Sequence, residues 1–165
     1  IDLNRPLEKG DCFGSCLFVS ASDGGGAGMI PIICVDDNWG MAFAGRRQSA
    51  DRAVRADMLA EAAGSRLWMN GYSRRQFDES GRAELLTAED FLDRAGPGEF
   101  CLVEDRPLLP WLDRMEGLVL YRWNRRYPAD VYLDIRPEPP GWRLVRREEF
   151  AGSSHPCITK EVYQR

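Results

Sequence analysis

The chain has very little histidine and lysine. Among its 165 residues there is one histidine, His155, and of the 22 basic residues only two are lysines, the other twenty being arginines. Cys12 and Cys16 are spaced C-x3-C, but a zinc site normally needs four ligands, and one histidine and three scattered cysteines are all that remain. Acidic pairs follow apolar segments at Asp36-Asp37 and Glu104-Asp105, and we interpret them as turn formers rather than magnesium ligands. We therefore expect no metal.

Glycine-rich phosphate loops are missing as well. The sequence contains neither G-x-x-x-x-G-K-[ST] nor G-x-G-x-x-G. These are the motifs in which backbone amides surround the phosphates of nucleoside triphosphates and dinucleotides. We therefore expect no cofactor.

No apolar run is long enough for a membrane-spanning helix, which needs about 18 residues or more.

Three of the five cysteines, Cys16, Cys34 and Cys101, lie in apolar segments. Such positions are typical of small buried thiols in a reducing compartment, so we predict a cytoplasmic location. The chain opens at Ile1 rather than at a methionine, so a leader or an upstream domain could be absent from it.

The length and the order of apolar segments predict one compact α+β domain over residues 1–165. Strands and helices are interspersed without a regular βαβ rhythm, so we expect a mainly antiparallel sheet with two to three short helices. A subdivision, if there is one, would fall near the Gly-Pro-Gly segment at 96–98.

Two hairpins are predicted, one joining 16–21 to 29–37 and the other joining 117–124 to 131–135. The clearest helix starts at Ser49 and carries an apolar stripe of Val54, Met58 and Ala62, spaced i, i+4 and i+8. The predicted helices cover 49–63, 87–95 and 155–165.

The arginines are concentrated in two parts of an acidic chain whose net charge is −4. Residues 41–75 hold seven basic side chains against three acidic, and residues 119–165 hold nine against six. Arginine is well suited to bidentate contact with phosphate or carboxylate. The pattern predicts a cationic face for a polyanion or an acidic protein partner, although a GC-rich genome would also replace lysine by arginine.

Aromatic residues alternate with arginines in the segment 121–127, as they would in a platform that stacks bases and contacts phosphates. The alternative interpretation is that Tyr121 and Trp123 are core residues with an arginine rim. Our leading hypothesis is that the chain binds RNA or single-stranded DNA. The predicted binding residues are Arg46, Arg47, Tyr121, Arg122, Trp123, Asn124, Arg125, Arg126 and Tyr127.

His155 is the candidate general base, because no other side chain has an ordinary pKa near neutrality. It follows Ser153 and Ser154, which we expect to cap a terminal helix. The sequence leaves open whether the chain is an enzyme. The alternatives to nucleic-acid binding are a protein-interaction or regulatory module, and a small hydrolase or nuclease that uses His155.

Overall fold

A seven-stranded sheet lies at the centre of the computed structural model, which describes residues 28–77 and 83–165. In these ranges the strands are β1 (Ile30–Val35), β2 (Gly40–Phe43), β3 (Arg46–Arg47), β4 (Arg66–Met69), β5 (Glu84–Thr87), β6 (Phe100–Leu102), β7 (Gly117–Arg122), β8 (Val131–Tyr132), β9 (Arg143–Phe150) and β10 (Ile158–Gln164). The helices are α1 (Arg52–Glu61), α2 (Gly71–Arg74), α3 (Phe91–Arg94) and a 3-10 helix (Leu109–Arg114). Cys12, Cys16 and the predicted strand at 16–21 lie outside the described residues.

The main sheet is mostly parallel, in the order β5-β4-β6-β1-β7-β10-β9. The pairs from β5 to β7 are all parallel, and β10 runs antiparallel to both β7 and β9. The predicted mainly antiparallel α+β fold is therefore wrong, and the fold is α/β. The signal was present in the sequence, because central parallel strands are buried on both faces and appear as continuous apolar runs such as IPIICV in β1.

The second predicted hairpin is wrong too. Strand β7 pairs with β1 and β10, whereas β8 joins β2 and β3 in a separate three-stranded sheet. The predicted helix at 155–165 is instead strand β10, in which Ile158, Thr159 and Val162 are β-branched residues that favour a strand.

Helix α1 packs on one face of the sheet through the predicted stripe, since Val54, Met58 and Ala62 are all buried. Its N-cap is Asp51 rather than the predicted Ser49. On the opposite face, Phe91 and Leu92 of α3 pack against β1 and β7 residues. The sheet is thus covered on both sides, and its strand ends remain for ligand contact.

A buried ionic network attaches α1 to the sheet. The Nζ of Lys160 on β10 lies 2.7 Å from both Asp57 Oδ2 and Glu61 Oε2 of α1. Tyr121 on β7 donates to Asp57 at 2.6 Å, and Arg146 on β9 donates to Glu61 at 2.6 Å. Burial and then the charge of Asp57 raise the pKa of Tyr121, so its hydroxyl stays protonated and remains a donor.

We predict that Lys160→Met lowers the free energy of unfolding by about 3 kcal/mol, because it removes the buried cation that Asp57 and Glu61 share. Glu61 then keeps only its pair with Arg146. Arg147→Ala is the matched control, since it removes a positive charge from the exposed pair with Glu149. It should cost no more than about 1 kcal/mol. Urea unfolding measures both variants, and equal midpoints would show that the network contributes nothing particular to stability.

Candidate functional site

The carboxyl ends of the central parallel strands meet at one edge of the sheet. Asp36 follows β1 and Glu104 lies just beyond β6, while Trp123 follows β7 and donates its amide to the Val35 carbonyl at 3.0 Å. Ligands of open parallel sheets bind outside this edge, where loops diverge. The carboxyl edge of the sheet is therefore the place where a ligand site is expected.

Asp36 organises the turn that leaves β1. Its carboxylate is buried and accepts from the amides of Asn38 at 2.9 Å and Gly40 at 2.7 Å. Its second oxygen accepts from the amide of Tyr127 at 3.0 Å. The prediction that Asp36 forms a turn is confirmed, and the same carboxylate fixes the segment after β7 beside that turn.

His155 lies at the carboxyl edge of the sheet, at the centre of a hydrogen-bond network. Its Nδ1 is 3.0 Å from Asp51 Oδ2, and its Nε2 is 2.9 Å from the Tyr127 hydroxyl and 3.1 Å from Ser49 Oγ. Trp123 stacks on the imidazole with ring centroids 4.6 Å apart. The histidine is 4% exposed, and both of its ring nitrogens lie within hydrogen-bond distance of these partners.

Asp51 holds the other side of the network. It caps α1 by accepting from Ala53 and Val54, and it also accepts from the amides of Ser153 at 2.9 Å and Ser154 at 2.8 Å. Burial raises the pKa of Asp51, but the hydrogen bonds from Ser153, His155 and Ser154 outweigh it and hold the pKa well below its usual range. The carboxylate is therefore ionised and fixes a proton on Nδ1 of His155.

This role of Ser153 and Ser154 differs from the predicted one. They do not cap a terminal helix, because β10 follows them, and instead their amides bind the N-cap of α1. Gly152 allows the approach, since a Cβ there would lie 2.5 Å from Asp51 Oδ2.

A cleft of about 440 Å³ opens next to the network. Tyr127 belongs to both, because it lines the cleft and its hydroxyl contacts His155. Gln48 donates to the Pro128 carbonyl at 3.3 Å, but its buried Oε1 has no partner among the described residues. The lining residues are Phe43, Ala44, Arg46, Arg47, Gln48, Tyr127 and Pro128.

The two cleft arginines differ in what they contact. Arg47 pairs with Glu104 at 2.9 Å, and its guanidinium lies 4.4 Å from the Tyr72 ring centroid. Gln76 donates to the same carboxylate at 3.0 Å. Arg46 is exposed and forms no salt bridge within residues 28–77 and 83–165. Arg47 is thus structural in this state, and Arg46 is available to an anion.

The predicted aromatic platform does not form. Tyr121 and Trp123 are 0% and 4% exposed, and Arg122 pairs with Glu161 while its guanidinium lies 4.5 Å from the Trp39 ring centroid. The aromatic rings are core residues, and bases cannot stack on them.

The other predicted binding residues lie in the loop after β7. Asn124 donates to Thr159 Oγ1 at 2.9 Å, and the Arg125 guanidinium lies 5.7 Å from the Tyr127 ring centroid. Arg126 is exposed. Of the nine predicted residues, the structure therefore brings Arg46, Arg47 and Tyr127 into the cleft.

The fold resembles that of a solved dihydrofolate reductase from Enterococcus faecalis, complexed with NADP(H) and RAB-propyl. The TM-score is 0.59 at 8% identity, and the match covers 84% of this chain and 96% of the other. The fold is dihydrofolate reductase-like. No family model and no curated protein matches the sequence.

This fold corrects the functional hypotheses. The fold is dihydrofolate reductase-like and the aromatic platform predicted at 121–127 is buried, so the hypothesis of RNA or single-stranded DNA binding is wrong. The resemblance to a reductase likewise gives no support to an interaction module or to a small hydrolase or nuclease. An acidic protein partner stays a prediction. In the described part of the chain, no three His, Cys, Asp or Glu side chains are grouped as metal ligands, and no helix is long and apolar enough to cross a membrane.

We predict that Asp51→Asn lowers the free energy of unfolding at neutral pH by about 3 kcal/mol, because the neutral amide replaces a carboxylate that accepts charge-assisted hydrogen bonds. The lowered pKa of Asp51 means that its contribution is complete above its unfolded-state pKa of about 3.9. That contribution is lost as the pH falls toward the folded-state pKa. The difference between the two proteins should therefore be constant above about pH 5 and shrink below about pH 4.

Urea unfolding over this pH range measures the effect. Asp113→Asn is the control, since it removes the same charge from an exposed position of the 3-10 helix. A difference that stays constant at acid pH would contradict the ionised Asp51.

Proposed function

We propose that this chain is a reductase that binds a reduced nicotinamide nucleotide in the carboxyl-edge cleft and acts on a small substrate there. The proposal is supported by a fold similar to that of a reductase and by a cleft at the edge of the sheet where such folds bind ligands. The fold is similar to that of a reductase complexed with NADP(H). At the edge where such sheets bind ligands, this chain has a cationic cleft beside a buried histidine.

The residues of the cleft suit a phosphorylated nucleotide. Arg46 offers an exposed guanidinium for a phosphate, and the unpartnered Oε1 of Gln48 would accept from a ribose hydroxyl or a carboxamide. The Tyr127 ring provides an apolar surface for a flat heterocycle. A volume of about 440 Å³ falls within the usual range of small-molecule sites and suits one half of a dinucleotide.

The chemistry divides between the nucleotide and the protein. A reduced nicotinamide supplies a hydride when bound. The chain's own residues bind the phosphate, orient the substrate and hold a proton close to the cleft. A hydride acceptor such as a C=N or C=O group needs both a hydride and a proton, so the position of His155 beside the cleft suits a reduction.

The predicted cytoplasmic location forms part of this proposal. Cys34, Cys101 and Cys157 are free thiols. Burial raises the pKa of both Cys34 and Cys101, which keeps these two thiols protonated and unreactive. Free, unreactive thiols suit a reducing compartment. Fractionation of the source cells tests the location, and recovery outside the cytoplasm would contradict it.

We predict that the purified chain binds NADPH and that Arg46→Ala weakens binding about tenfold, or about 1.4 kcal/mol, because a charge-assisted contact is lost. Isothermal titration calorimetry measures the affinity. Arg66→Ala is the matched control, because Arg66 is a half-exposed arginine at the start of β4, at the opposite edge of the sheet.

The outcomes separate clearly. Binding that is weakened by Arg46→Ala and kept by Arg66→Ala supports the cleft. Equal losses in both variants would indicate nonspecific charge attraction. An absence of binding at millimolar NADPH would overturn the proposed function.

A further inference from the structure

We propose that the Tyr127 hydroxyl donates a proton to the substrate in the proposed reduction. In this relay, His155 replaces that proton on Tyr127, and Asp51 orients His155. The inference rests on the proposed function, which it deepens by naming the acid. Tyr127 is the one residue that both lines the cleft and contacts the buried imidazole in the described part of the chain. Its hydroxyl lies 2.9 Å from Nε2 of His155.

The orientation of the imidazole follows from Asp51. The carboxylate is ionised and accepts from Nδ1 at 3.0 Å, so Nδ1 carries a proton in both the neutral and the charged ring. The proton that comes and goes is therefore the one on Nε2, which faces Tyr127 and Ser49. The ring is held in this orientation from two sides, because the carboxylate faces one edge and the Trp123 ring stacks on its face.

The proton balance is simple. When the ring is charged, Nε2–H donates to the Tyr127 oxygen, which leaves the phenolic O–H free to point into the cleft. If a bound nicotinamide supplied the hydride, reduction of a C=N or C=O group would leave its π electrons on the heteroatom. The heteroatom takes the phenolic proton, and the Tyr127 oxygen takes the proton from Nε2. The ring ends neutral.

Two neighbours complete the relay. Ser49 is half-buried, and its Oγ lies 3.1 Å from Nε2, so it connects the histidine to solvent for reprotonation. The Arg125 guanidinium lies 5.7 Å from the Tyr127 ring centroid, where it stabilises negative charge that develops on the phenol. Asp51 and Ser49 are positioning and proton-delivery residues, whereas Tyr127 meets the substrate.

The relay has a readout that needs no ligand, because His155 is the only histidine in the chain. ¹⁵N NMR of the histidine-labelled protein reports which ring nitrogen carries the proton and what each one bonds. We expect Nδ1 to carry a proton in the unmodified protein and less of the proton to reside on Nδ1 in Asp51→Asn. Tyr127→Phe should change the Nε2 resonance, and Tyr132→Phe should not.

Tyr132 is a matched control, since it is an exposed tyrosine on β8 whose hydroxyl donates to the Ala129 carbonyl, outside the cleft. In turnover, we expect Tyr127→Phe to lower kcat about a hundredfold or more, the usual contribution of a general acid. The affinity for NADPH should stay within about twofold of the unmodified protein. Ser49→Ala should lower kcat by less than about tenfold, because Tyr127 still reaches Nε2.

The results distinguish the two proposals. NADPH binding with full turnover in Tyr127→Phe would overturn the relay and leave the reductase standing. A larger loss in Ser49→Ala than in Tyr127→Phe would also overturn it, by moving the proton donor to the serine. No NADPH binding would overturn both the reductase and the donor role of Tyr127, and the NMR comparison would then report only the hydrogen bond between Tyr127 and His155. An Nε2 resonance that Tyr127→Phe leaves unchanged would refute it.

Discussion

The carboxylate of Asp51 is the group on which the candidate site depends. One side chain accepts from the first turn of α1, from the amides of Ser153 and Ser154, and from Nδ1 of His155. It therefore joins the start of the main helix to the segment that enters β10, about a hundred residues later in the chain. Such a buried anion is stable only while all of its donors stay in place, so the position of His155 is set by the same hydrogen bonds that begin the helix.

The parallel direction of the central strands determines which other side chains lie at the carboxyl edge of the sheet. Because β6, β1 and β7 run in one direction, their carboxyl ends deliver Glu104, Asp36 and Trp123 to neighbouring places without any local sequence motif. Asp36 then draws the amide of Tyr127 inward, and Glu104 holds Arg47. The acids at this edge therefore serve mostly as acceptors that position basic and aromatic side chains, which explains how an acidic chain has a cationic cleft.

Local structure could be predicted from the sequence, but the pairing of strands could not. The apolar stripe of α1 and the strands β4 and β6 follow from periodicity and from short apolar runs. Parallel pairing joins strands that are distant in the chain. A short connection between two apolar segments instead predicts a hairpin, and this is why 117–135 was wrongly predicted as one. His155 was identifiable as the one histidine, whereas its partners Asp51 and Tyr127 lie 104 and 28 residues away and share no motif with it. The burial of Tyr121 and Trp123 likewise depends on β10, which the terminal residues were not expected to form.

The helix ends add a constraint on how any phosphate is held. Free amides at a helix N-terminus ordinarily bind phosphate. Here Asp51 accepts from the first amides of α1, Asn70 and Glu89 accept from those of α2, and Asp134 accepts from Leu108 and Leu109 where the 3-10 helix begins. Three of the four helical segments in the described ranges are thus closed by the chain's own side chains. Three of these four side chains are carboxylates, which would repel a phosphate. An anionic ligand at the carboxyl edge is therefore better bound by guanidinium groups, and Arg46, which lines the cleft and forms no salt bridge among the described residues, is placed to do so.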